Sequence, residues 1–462
     1  MINDEAKIRI IKNNPVEELC SLSKEMKTYE FVDFLDDVSI PKVNRKKIKT
    51  IGLICNCLYN GGVEKVVSQL LFIFREMNYN LCLLTSEEAN EFDYDYPSDV
   101  MRFVIPKADN ISSRLQRIAD IVNKNNIDIL INNSWTEDSS FWECILMKYL
   151  NVYYVQYTHG ALSSMYISLD ENEIAYHKEY KYYDVVLSLS KTSALFYQMC
   201  GCRSYLIKNP ISNDLLNINY DYTNNPYELL WVGRVTKDKG IIDALRILGI
   251  VKEKIPNVVL KIVGKCENKE LETEINEVIK DLSINKNVFF EGYHSDVDEY
   301  YKKAKLLIST SNSEGYPMSL IESTMYHLPF AMYSLPYLAI VEDRKGFVEA
   351  KQGDVGSMAK VIIELLENDK LYRKIKDEII KKAIELKKYD IKKAWKDIFD
   401  ICLNKKECFC NYSDDMSSIM MIDSLINTSA KIACRYKNQN SIKERIINKA
   451  KYISKKIANK NQ

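Results

Sequence analysis

From Lys46 to about Asn209, short apolar runs alternate with stretches in which apolar residues return every three or four positions. That alternation is the pattern of strands joined by amphipathic helices in a parallel sheet covered on both faces. It predicts strands at Lys49 to Asn56, Asn80 to Thr85, Ile127 to Asn132, Val152 to Thr158 and Asp184 to Ser190. Between the first two, Val63, Val66, Val67, Leu70, Leu71 and Phe74 share one helical face. The turn-rich stretch Asn209-Pro-Ile-Ser-Asn and the polar segment Asn217 to Pro226 break the pattern, which then restarts. Further strands are expected at Glu228 to Val232, Val258 to Val263, Val288 to Glu291 and Lys305 to Thr310. Helices are expected near Ile241 to Lys254, Leu271 to Leu282 and Val297 to Lys303, then over Asp354 to Glu367 and Leu371 to Lys388. The expected plan is two α/β domains, 46–208 and 209–388, followed by a segment, 389–403, whose Trp395 and Phe399 return across the domain junction. Residues 1–45 and 404–462 stand outside that plan as appendages.

Composition narrows the function classes. A chain of 462 residues with 46% hydrophobic and 28% charged residues is long enough for two or three domains and is ordinary for a globular protein. Lys+Arg and Asp+Glu are each 64, so no global field draws the chain to nucleic acid. The charge is nevertheless segregated. Lys431 to Gln462 holds ten basic residues and one acid, Glu444, and Ile442, Ile446, Ala450, Ile453 and Ile457 recur there at helical spacing. Such a segment suits either an anionic membrane surface or a solvated basic end. The acidic start, Met1-Ile-Asn-Asp-Glu, does not read as a signal peptide, and apolar runs such as Phe330 to Val341 fall short of a membrane span. The twelve cysteines, with C-x-C pairs and no C-x-x-C, read as reduced thiols in a cytoplasm.

Three glycine-containing loops follow predicted strands. Tyr59-Asn-Gly-Gly-Val-Glu64 opens a helix, so its backbone can approach a ligand closely and offer free N–H groups to an anion. Trp231-Val-Gly-Arg-Val-Thr-Lys-Asp-Lys-Gly240 ends the first strand of the second domain, where crevice ligands of open α/β sheets bind. Its Arg234 and Lys239 can direct two cations at one diphosphate, with Lys237 the bystander. Ser311-Asn-Ser-Glu-Gly-Tyr-Pro-Met-Ser-Leu-Ile-Glu322 joins a strand to a helix. With Pro317 in the first turn, the amides of Met318, Ser319 and Leu320 are expected to face the crevice. Glu314 and Glu322 can accept hydrogen bonds from sugar hydroxyls. Tyr157-Thr-His-Gly160 places His159 at a strand end of the first domain. Asp93-Tyr-Asp95 offers paired carboxylates without any phosphate-binding feature, and reads as a decoy for a metal-dependent sugar transferase. Four histidines in the chain make a metal cluster unexpected.

In this order the motifs resemble the retaining glycosyltransferases of family 4. The resemblance runs from about Lys46 to Phe399 through Gly61-Gly62-x-Glu64, His159, Asn209-Pro210, Gly233-Arg234 with Lys239-Gly240, Gly264, Phe290-x-Gly292, the Glu314/Glu322 pair, and Gly346 to Asp354. It implies an α/β fold of GT-B architecture, two Rossmann-like parallel-sheet domains facing a central cleft. It further implies a nucleotide-sugar site built from Gly61, Gly62, Gly233, Arg234, Lys239, Gly264, Gly315, Met318, Ser319, Leu320 and Glu322. In the roles it carries over, Arg234 and Lys239 neutralise the donor diphosphate, Glu322 binds ribose, Glu314 contacts the donor sugar and His159 faces that sugar from the other domain. One departure is His327, which stands where the family usually has glycine, a place where a side chain can alter the helix end while leaving both glutamates intact.

The resemblance implies transfer of a hexose or N-acetylhexosamine, with retention, from a UDP-sugar ahead of a GDP-sugar. The acceptor is expected to be a glycan or a polyprenyl-diphosphate-linked saccharide of cell-surface polysaccharide synthesis. No cofactor or metal is expected, and the protein is placed in the cytoplasm or on the inner face of the cell membrane. A GT-B sugar-nucleotide epimerase and a non-catalytic partner of another transferase stand as the alternatives.

Overall fold

The computed structural model describes residues 14–425 except 36–37, 60, 107–109, 135–136, 162–177, 219–224, 295, 409–415, 417 and 423–424. The basic segment from Lys431 onward, with its isoleucine stripe, lies outside the described residues. Two wholly parallel sheets form the frame. The first has seven strands in the order β3-β2-β1-β4-β5-β6-β7. These are β1 (Thr50–Cys55), β2 (Asn80–Thr85), β3 (Met101–Val104), β4 (Ile129–Asn132), β5 (Tyr153–Tyr157), β6 (Val185–Ser188) and β7 (Ser204–Leu206). The second has six in the order β10-β9-β8-β11-β12-β13. These are β8 (Glu228–Val232), β9 (Val259–Val263), β10 (Val288–Gly292), β11 (Leu306–Ser309), β12 (Phe330–Tyr333) and β13 (Phe347–Ala350). Both orders reverse beside their first strand, β1/β4 and β8/β11, which makes two topological switch points.

The expected α/β, two-sheet architecture is therefore present. Four strands went unforeseen: β3, β7, β12 and β13. Each has three or four residues, too few to set an alternation or an apolar run apart from its surroundings.

Burial explains the layering. β1 is buried at all six positions, because helices cover both faces of its sheet. Helices Pro15–Glu25 and Thr28–Leu35 add to one face, where Phe31 stacks on Trp142 at 3.7 Å and Trp142 Nε1 donates to Thr28 Oγ1 at 3.1 Å. On the other face lie helix Gly62–Glu76 and helix Ile391–Cys402, although the latter follows the second sheet in sequence. Trp395 sits edge-on to Phe74 at 4.8 Å, and Phe399 meets Tyr79 at 5.2 Å. The chain thus passes between the sheets twice. The two passages touch, since the Lys208 amide donates to Tyr389 Oη at 3.2 Å and the Lys208 ammonium lies 5.3 Å from the Tyr389 ring centroid.

Trp395 is fully buried in a core that runs from β1 to β12, so truncation leaves a cavity at the junction. Trp395→Ala is expected to cost about 3–5 kcal/mol, by analogy with other buried aromatic truncations. Calorimetry should show the first thermal transition lowered by roughly 10 °C; an unchanged transition would mean the returning helix does not hold the sheets together.

Candidate active site between the two sheets

The carboxyl ends of both sheets open on one cleft of about 770 Å³. It is lined by Gly61, Gly62, His159, Gly233, Arg234, Lys239, Gly264, Glu314, Gly315, Met318, Ser319 and Glu322. Both switch points contribute to it, as the crevice rule for parallel sheets requires. Of the residues picked from the sequence, Leu320 alone stands apart. Its side chain is fully buried and its amide donates to Pro317 O at 3.1 Å, because Pro317 is the N-cap of helix Met318–Met325 and not part of its first turn. Met318 and Ser319, one and two positions past that cap, keep amides with no partner among the described residues.

Close backbone approaches shape the cleft walls. Gly240 has φ +71°, and a Cβ there would lie 2.1 Å from Thr310 O, so only glycine lets the Arg234-to-Gly240 loop rest against the end of β11. A Cβ on Gly315 would lie 1.9 Å from His159 O, so this glycine sets how near the two domains come. Gly62 faces Met318, where an added Cβ would stand 3.3 Å from Met318 Cγ.

Charges in the cleft are arranged in pairs. Lys239 Nζ lies 2.7 Å from Glu314 Oε1, with side chains 20% and 13% exposed. Lys65 Nζ lies 2.6 Å from Glu322 Oε1, and Tyr301 Oη donates to Glu322 Oε2 at 2.9 Å. Both glutamates expected to grip sugars are thus already engaged. Arg234 is exposed in the cleft and has no ion pair among the described residues. Glu64 folds back over the first glycine turn, close enough that a Cβ on Gly61 would collide with it, and burial raises its pKa. Lys237, the expected bystander, pairs with Glu274 on the surface. Asp93 forms a buried ion pair with Arg102 at 2.5 Å, and no group of three potential metal ligands occurs among the described residues.

His159 belongs to a neutral wall. Its Nε2 lies 3.2 Å from Asn133 Oδ1, its ring packs on Tyr157 at 4.2 Å, and burial lowers its pKa to about 3. Tyr157 Oη in turn donates to Asn209 Oδ1 at 2.7 Å. His327 adopts φ +53° and completes the helix end, its amide donating to Thr324 O and that of Leu328 to Ser323 O. Those two bonds form the Schellman end that glycine usually supplies.

Lys65, Asn133 and Tyr301 were not found from the sequence. Asn133 follows the end of β4 at a switch point, so the crevice rule could have found it. Nothing local marks Lys65 or Tyr301, whose roles exist only once distant elements meet.

Residues 220–382 match the family model described as Glycosyl transferases group 1. That stretch is similar to the glycosyl transferases group 1 family, and the two-sheet fold is GT-B. The chain is 28% identical over 182 residues to the poly(glycerol-phosphate) alpha-glucosyltransferase of Bacillus subtilis (strain 168), a match covering 39% of this chain and 26% of that protein. It is 26% identical over 174 residues to the poly(ribitol-phosphate) alpha-N-acetylglucosaminyltransferase of Staphylococcus aureus (strain COL), covering 37% and 34% of the respective chains. The chain thus spans about a quarter to a third of the length of these two relatives. A crystal structure of a mutant of S. aureus TarM in complex with fondaparinux, alpha-GlcNAc-glycerol and UDP superposes with a TM-score of 0.64 at 13% identity. That match covers 77% of this chain and 100% of that one.

The neutral His159 has a consequence for acid stability. An unfolded histidine takes up a proton near pH 6.5, whereas the folded one stays neutral down to about pH 3. Across that window the unfolded state binds more protons, so stability falls as pH drops. His159→Gln is expected to lose less melting temperature between pH 7 and pH 5 than the wild type; equal slopes would contradict the buried neutral imidazole.

Proposed function

We propose that the protein is a retaining glycosyltransferase that moves a hexose or N-acetylhexosamine from a nucleotide-diphosphate sugar, a UDP-sugar ahead of a GDP-sugar, to a glycan or lipid-linked acceptor of cell-surface polysaccharide. The observation that carries this is the convergence of Arg234, Lys239 and the amides of Met318 and Ser319 on one cleft at two switch points. Its volume of about 770 Å³ is within the usual range for small-molecule sites. The relatives named for α-glucosyl and α-N-acetylglucosaminyl transfer to polyol-phosphate polymers, and the neighbour holding UDP, support the donor and acceptor classes.

In this mechanism the sugar C1–O bond to the diphosphate breaks and negative charge grows on the leaving oxygen. Arg234 and the helix-head amides stabilise that charge, and Lys239 joins them as Glu314 turns from its ammonium to donor-sugar hydroxyls. The acceptor hydroxyl attacks C1 from the face the diphosphate leaves, and its proton passes to the departing diphosphate oxygen. His159, neutral at working pH, offers the sugar a hydrogen-bonding wall without a charge that would bind phosphate in the wrong place. Fixed protein cations carry the leaving group in this reading, so no divalent ion is needed. In this reading the protein works in the cytoplasm or on the inner face of the cell membrane, where a lipid-linked acceptor would be met.

Transfer from a panel of UDP- and GDP-sugars, followed by mass spectrometry, tests the reading. Arg234→Ala and Lys239→Ala should each lower kcat/KM by about 100-fold or more with the fold intact. EDTA should leave turnover unchanged, and NMR should find an α-linked product. Near-normal rates in both variants, or a β-linked product, would overturn it.

A further inference from the structure

Lys65 reaches from the domain of the first sheet into the domain of the second. It lies in the first turn of helix Gly62–Glu76, directly after the Gly61-Gly62-Val63-Glu64 turn, yet its ammonium ends 2.6 Å from a carboxylate 257 residues further along the chain. The bare backbone at Gly62 allows that helix to approach Met318, one turn before Glu322. The Lys65 side chain is 25% exposed and that of Glu322 is 7% exposed, so the pair is far more shielded than an ordinary surface ion pair. Glu322 is the largest influence holding the Lys65 ammonium above its usual pKa, and Asp296 and Asp298 reinforce it.

We propose that Lys65 is a positioning residue of the donor site, which acts through Glu322 on the vicinal diol of the nucleotide ribose. The proposal rests on the donor-site reading above. Lys65 and Tyr301 each hold one oxygen of Glu322, Lys65 from the domain of the first sheet and Tyr301 from that of the second, so the carboxylate is fixed in orientation. An ionised carboxylate has about four lone-pair positions, of which these two partners take two, leaving two for a pair of neighbouring hydroxyls. The ammonium is already paired with Glu322 and lies in the negative field of Asp298 and Asp296, which is an unsuitable setting for holding a phosphate. Lys65 therefore serves the diol, and Arg234 and Lys239 serve the diphosphate.

The two jobs separate in one titration. The full chain and its Lys65→Met, Lys65→Gln and Lys65→Arg variants are titrated calorimetrically with UDP or GDP, whichever the wild type binds more tightly, and with the 2′,3′-dideoxy form of the same nucleotide. Lys65→Met and Lys65→Gln should weaken the diol-bearing nucleotide about tenfold, the scale of one charge-assisted interaction. They should leave the dideoxy form within about twofold of wild type, and Lys65→Arg should restore most of the affinity. In turnover the same variants should raise the donor KM more than they lower kcat. An equal penalty on both nucleotides would show that Lys65 acts on phosphate or on the fold at large, and no penalty on either would show that it does not serve the site; both results overturn the proposal. A wild type that binds neither UDP nor GDP overturns the donor-site reading itself, and this proposal with it.

Discussion

A charged carboxylate withdrawn from water is costly without a cation, and the cleft is organised around two such pairings, Glu314 with Lys239 and Glu322 with Lys65. Each places a demand on the fold. Lys239 reaches Glu314 because glycine at 240 lets its loop lie against β11, and Glu314 is held where its amide donates to Tyr337 Oη at 3.3 Å. Lys65 reaches Glu322 because glycine at 62 lets one domain's helix approach the other's. Loop geometry, glycine placement and domain spacing thus share one electrostatic requirement. A ligand that brings hydroxyl donors to Glu314 and anionic oxygens to Lys239 exchanges partners at that pair without leaving a charge unmatched, while Lys65 stays on Glu322.

The two walls of the cleft differ in kind. On the side of the first sheet, apart from Glu64 and Lys65 at the glycine turn, Asn133, His159, Tyr157 and Asn209 form a neutral set. The opposite side carries Arg234, Lys239, Glu314 and Glu322. That division suits a reaction in which charge develops on one partner, the leaving diphosphate, while the sugar must be oriented by neutral donors and acceptors.

Much of this was legible in the chain. Strands such as Asn80–Thr85 and Glu228–Val232, and helix Ile241–Lys254, were readable to the residue because apolar runs and helical spacing are strong there. The strand-end loops announced Arg234, Lys239, Glu314 and His159 as cleft residues, since glycine and charge cluster where a parallel sheet presents its carboxyl ends. Short strands such as Ser204–Leu206 left no periodic trace. The fate of Leu320 turned on whether Pro317 is the cap or the first turn, a shift of one residue that pattern does not resolve. Lys65 and Tyr301 acquire meaning only through partners distant in sequence. His327 shows the converse: a residue that breaks the local rule sits in a left-handed conformation that the surrounding helix end enforces.

The contact between Lys208 and Tyr389 has a mechanical meaning. The outgoing and returning segments between the lobes are bonded to each other at that spot, so the two crossings are tied into one unit. Neither crossing can bend without the other, so the spacing of the two sheets is set by the pair of segments jointly and not by either segment of the linker alone.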